Sequence, residues 1–169
     1  MSYIIGVDPG LSSVGYGIIE IKNERSFYVT HGTITTKAGE PMARRLSLIY
    51  REFSAIVAEF QPAQAGIESI FFAKNIKTAI PVAQARGVIL LALGERNIPC
   101  GEYSPIEIKN AVVGRGRADK TQVQEMVRVI LGLEKIPKPN HAADALATAL
   151  CHHHIGRFRD ICQELEEDV

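Results

Sequence analysis

In the stretch NHAADALATAL, His141 and Asp144 stand three residues apart at the start of an Ala- and Leu-rich run. Ala and Leu are strong helix formers, and positions i and i+3 lie on one helical face, so an imidazole and a carboxylate point the same way. The pair serves either as ordinary polarity at a helix start or as half of a metal site. Two further acids are placed unusually. Asp8 ends the apolar run YIIGVD and is followed by Pro-Gly, and Glu68 ends AGIE. Ligands in α/β sheets collect outside the carboxyl ends of strands. Asp-Pro-Gly is also good turn chemistry, whereas Glu is a poor strand residue that a turn explains less well. Asp8, Glu68, Asp144 and His141 together offer three carboxylates and one imidazole. That set suits Mg²⁺ or Mn²⁺ and is wrong for a structural zinc site. Crowded acids repel one another unless a cation shares the space. Two cations about 3.5–4 Å apart can activate water and stabilise the leaving oxygen of a phosphodiester.

The elements that must position these groups follow from hydrophobic period. YIIGVD reads as a buried strand stopped by Pro9 and Gly10, and VGYGIIEI and FYVTHGTITT continue in extended structure around the polar turn KNER. The segment EPMARRLSLIYREFSAIVAEF carries Leu46, Ile49, Phe53, Ile56, Val57 and Phe60 at helical spacing, with Pro62 beyond its end. QAGIESI is a second buried strand. It leads into a long helical pattern in which Pro81 marks a kink or a first turn. IPCGEYS is a third short strand, and the remainder is helical: PIEIKNAVV, a helix capped by Asp119, and a closing helix from Asn140. Three adjacent strands followed by alternating strands and helices predict an α/β domain, a mixed central sheet with helices on both faces.

Bulk properties narrow the class. At 169 residues the chain suits one domain, expected over 1–158, with 159–169 as an acidic, mobile C-terminal tail. No apolar run approaches the roughly 20 residues that cross a bilayer, and the N-terminus lacks a basic n-region, so a cytoplasmic protein is expected. Three cysteines are too few and too odd for a disulfide framework, and Cys100 and Cys151 read as buried small hydrophobes. The formal net charge is zero, yet Lys109 to Lys138 carries seven basic residues against three acids. That lobe serves either as a solvated face or as a phosphate-binding patch. In GRGRADK, glycines permit close backbone approach to a phosphate while Arg115 and Arg117 supply charge. Lys120 follows the capping Asp119, beside amides that also favour phosphate.

Other motifs drop out. CHHH at 151–154 places only Cys151 and His154 on one helical face, and no second cluster completes four zinc ligands. No Walker-type run occurs. A phosphate loop of the actin-like kind at DPGLSSVGYG would belong to a duplicated core that needs a far longer chain.

In register from about residue 3 to 154, IIGVDPGLSSVGYGII, IESIFFAKN, AQARGVIL, IKNAVVGRGRADKTQVQEMV and HAADALATAL resemble the RuvC family of Holliday-junction resolvases. The order and spacing of several motifs carry the resemblance, which covers nearly the whole chain. It implies an RNase H-like fold, a homodimer, divalent metal and paired incisions in a four-way DNA junction. It places Asp8, Glu68, His141 and Asp144 on the catalytic metal-binding positions, although some relatives carry an acid at the histidine position. Lys109 and Lys120 match positions associated with DNA backbone contact, and Phe71 matches an aromatic implicated in opening the junction. The branch-migration helicase complex RuvAB is the implied partner. Two other functions fit the residues: a non-catalytic junction-binding protein, and an RNA-processing nuclease of the same fold.

Overall fold

The computed structural model describes the backbone of residues 2–70 and 76–167. The apolar runs form five strands: β1 (Ser2–Asp8), β2 (Ser13–Lys22), β3 (Arg25–Thr35), β4 (Gln64–Glu68) and β5 (Cys100–Tyr103). The periodic segments form α1 (Met42–Phe60), α2 (Ile76–Gly94), α3 (Pro105–Val113), α4 (Lys120–Ile130) and α5 (Asn140–Glu167). Pro81 lies inside α2, beyond its first turn.

The strands make one sheet in the order β3-β2-β1-β4-β5. β1 pairs antiparallel with β2 and parallel with β4, so the sheet is mixed as expected. Successive strand residues point to opposite faces, and β1 therefore feeds two cores. Ile5 and Val7 pack with Ile49 and Phe53 of α1 and Ile89 of α2. On the other face Ile4 packs with Leu146 and Leu150 of α5, Val112 of α3 and Val127 of α4. Burial on both faces is why β1 reads as a nearly continuous apolar run.

Two reciprocal caps start the helices beside the second core. Ser104 accepts from the Glu107 N–H at the head of α3, and Asp119 accepts from the Gln122 N–H at 2.9 Å at the head of α4. The expected Asp119 cap is therefore real. α5 continues as helix through Glu167, so residues 159–167 of the acidic C-terminal segment are helical backbone. Cys151 is buried and Cys100 half-buried, with the Cys100 thiol pushed up to about 11 by burial. Among the described residues no helix is long and apolar enough to cross a membrane.

Candidate metal centre

Strand alternation puts Ile4, Gly6 and Asp8 of β1 on the face covered by α5. Gly17, Gly6, Gly66 and Gly101 are paired in register across β2, β1, β4 and β5. At Gly6 an added Cβ would lie 2.0 Å from the Ala145 carbonyl oxygen, and at Gly17 it would lie 2.7 Å from Leu146 Cγ. This glycine row lets the backbone of α5 rest on the sheet. One step along the strands, Asp8 pairs with Gly15. There an added Cβ would meet the His141 carbonyl oxygen at 2.0 Å. Close approach thus brings the first turn of α5 over the end of β1. The carboxyl end of β4 lies beside it because β1 and β4 run parallel.

The outcome is a side-chain cluster drawn from distant parts of the chain. Asp8, His141 and Asp144 offer ligand atoms within 4.8 Å of one another. His141 Nδ1–H donates to Asp8 Oδ2 at 2.7 Å. Lys120 Nζ donates to Asp144 Oδ2 at 2.8 Å. Glu68 borders this trio and lines the adjoining cleft with Asp144, close enough for the charges of Asp8 and Asp144 to act on it. Burial pushes the Glu68 carboxyl up to about 7, helped by the negative charges of Asp8 and Asp144 and opposed by Lys120. Burial likewise raises Asp8, while the His141 hydrogen bond pulls it back. Carboxyls that resist ionising beside one another fit a shared dication, which replaces repulsion with attraction. The hard oxygen donors and one imidazole suit Mg²⁺ or Mn²⁺.

A cleft of about 230 Å³ opens beside the cluster, and Glu68, Asp144, Lys109 and Lys120 line it together with Ile108 and Val123. Both lysines singled out in the sequence therefore line the same cleft as the acids, and among the described residues Lys120 alone is paired with one of them. Arg115 and Arg117 are exposed in the connection between α3 and α4, where Arg115 faces a separate shallow depression with Gln122 and Glu125. Phe71 lies outside the described residues.

Several supporting residues carry no signal in the sequence. Tyr103 and His152 are buried, and Tyr103 O–H donates to His152 Nδ1 at 2.8 Å while His152 Nε2–H donates to Gln64 at 3.1 Å. This network ties α5 to β4 at Gln64 and to β5 at Tyr103, whose backbone is the register partner of Glu68. It also accounts for the middle of CHHH without zinc; His153 bonds the Glu24 carbonyl and His154 the Ala111 carbonyl. Arg45 donates to Thr36 at 2.8 Å and to Ser12 at 3.2 Å, and Thr36 donates to the Leu11 carbonyl at 2.6 Å, clamping the turn after Asp8. Glycine inside strands was the available clue to close backbone approach. The two networks leave no comparable local mark.

Comparisons with known proteins agree with this geometry. Residues 4–152 match the family model described as crossover junction endodeoxyribonuclease RuvC. The chain is 51% identical over 155 residues to the crossover junction endodeoxyribonuclease RuvC of Clostridioides difficile, covering 92% of each chain. It is 49% identical over 161 residues to that of Thermotoga maritima, covering 95% of this chain and 96% of the relative. Its fold matches Thermus thermophilus RuvC in complex with Holliday junction substrate at a TM-score of 0.89 and 33% identity, covering 94% of this chain and 96% of the other.

Proposed function

The chain belongs to the RuvC family of crossover junction endodeoxyribonucleases, and from that membership we infer that it resolves four-way DNA junctions by hydrolysing phosphodiester bonds at the Asp8 centre. Its α/β fold is RNase H-like. The observation that carries the reading is the meeting of Asp8, His141 and Asp144 within 4.8 Å, beside a cleft that also holds two lysines.

Asp8, Glu68, Asp144 and His141 would hold Mg²⁺, two ions per centre, with Mn²⁺ as a substitute. When bound, the ions supply polarisation of the scissile phosphate and a lowered pKa for the attacking water. The chain's own groups do the rest. Lys109 and Lys120 neutralise backbone phosphate in the cleft, and the apolar walls at Ile108 and Val123 limit bulk water there. Arg115 and Arg117, outside the cleft, hold DNA farther from the cut, and Phe71 acts on the bases at the crossover. Paired incision at symmetric positions requires two centres and hence a two-fold homodimer. α2 supports this by exposing Ile80 and Leu91, at 55% and 56%, about three turns apart on one face. RuvAB as partner and the cytoplasm as location complete the proposal.

Incubating the protein with a synthetic four-way junction, with and without Mg²⁺, tests it. Paired, symmetric nicks only with Mg²⁺, on the junction and not on linear duplex, are expected. Binding without nicks would make it a junction-binding protein. Preferential cutting of unbranched RNA would make it an RNA-processing nuclease.

A further inference from the structure

Lys120 has two claims on it. It lines the cleft that we assign to the DNA backbone, yet its Nζ sits 2.8 Å from Asp144 Oδ2, one of the oxygens that metal binding needs. An ammonium and a dication on the same carboxylate draw on one negative charge and repel each other, so each weakens the other's hold on Asp144. Binding of one favours release of the other. The geometry allows the exchange. Lys120 is the first residue of α4, its backbone held by the Asp119–Gln122 capping box, while its side chain is 54% exposed on a flexible four-carbon stem. The head can move without the helix moving.

We propose that Lys120 is an exchangeable counter-ion: it neutralises Asp144 while the centre is without metal, and metal entry expels it into the cleft, where it meets phosphate. The DNA half rests on the resolvase reading; the metal half does not. The exchange couples the two ligands. Phosphate that draws Lys120 away frees Asp144 for metal, and metal that expels Lys120 presents it to phosphate, with equal coupling in both directions. His141 on Asp8 is not a second case of the same kind, since it is itself a metal-binding candidate that can turn from donor to ligand.

Lys109 is the internal control. It lines the same cleft from α3, but the ion pair on Asp144 is Lys120's. Removing either lysine deletes one positive charge near the centre, while only Lys120→Met deletes the competitor. Mn²⁺ titrated calorimetrically into the DNA-free protein should bind Lys120→Met about three- to tenfold more tightly than the parent, the scale of one partly exposed charge-assisted contact. Lys109→Met should change affinity by less than about twofold, as expected of a screened charge. Lys120→Arg, which keeps the charge, should stay near the parent. Equal effects of Lys120→Met and Lys109→Met, or no effect of Lys120→Met, would overturn the exchange. A protein that shows this pattern but neither binds nor cuts a junction would retain the exchange and lose the resolvase reading.

Discussion

Gly6→Ala probes whether sheet-to-helix spacing builds the metal centre. A Cβ at Gly6 would lie 2.0 Å from the Ala145 carbonyl oxygen and 2.4 Å from the Ala149 nitrogen, where ordinary contact begins at 3.4 Å. Both are backbone atoms, so no side-chain rotation relieves the overlap. α5 has to retreat by about 1.4 Å, at a cost near the upper end of the ~1–3 kcal/mol typical of overpacking. At about 2–4 °C per kcal/mol for a chain of this size, a cost of about 3 kcal/mol lowers Tm by about 6–12 °C. The retreating segment carries His141 and Asp144, whose contact with Asp8 depends on that spacing. A misplacement of about 1 Å can reduce catalysis by about 10²-fold. Calorimetric Tm and junction cutting at saturating Mg²⁺ read the two effects. Gly15→Ala, whose Cβ would meet the His141 carbonyl oxygen at 2.0 Å, should behave similarly. Gly66→Ala, whose nearest contact is His152 Cβ at 2.9 Å, should be milder on both measures. A Gly6→Ala protein that melts and cuts like the parent would refute the reasoning, as would a Gly66→Ala protein more damaged than Gly6→Ala.

Asp8→Asn keeps the shape and removes the charge; it should abolish cutting while leaving junction affinity intact, and a gel-shift assay beside a cleavage assay would expose any other result. In the metal-free protein Glu68 is raised from 4.5 to about 7, so its stabilising contribution is complete below about pH 4.5 and is lost as pH rises through about 7. Glu68→Gln should therefore be more stable than the parent at pH 8 in EDTA, by at most about 3.4 kcal/mol for a rise from 4.5 to about 7, and the gap should vanish near pH 4. An EDTA-treated parent that stabilises between pH 5 and 8 relative to Glu68→Gln would reverse that sign. His141→Asp should retain junction cutting whereas His141→Ala should lose most of it at limiting Mg²⁺; normal cutting by His141→Ala there would return His141 to a helix-start role.

Much of this protein is written locally. β1 and β4 announce themselves as apolar runs ending in acids, α1 shows its buried stripe at Ile49, Phe53 and Val57, and Asp119 marks the start of α4. These features depend on backbone preferences and on periodicities a few residues long, so the sequence alone reveals them. The same holds for the donor types at Asp8, Glu68, His141 and Asp144, whose chemistry is a property of the residues themselves. What only tertiary structure decided is who meets whom. His141 reaches Asp8 across 133 positions of sequence, and Lys120 reaches Asp144 across 24. Neither local period nor composition contains those distances. The glycine row acts only once β2, β1, β4 and β5 stand in register, and Arg115 leaves the cleft although it is only five residues from Lys120. The rise of Glu68 to about 7 likewise exists only in the folded chain, because desolvation and Coulomb repulsion depend on burial and separation in space.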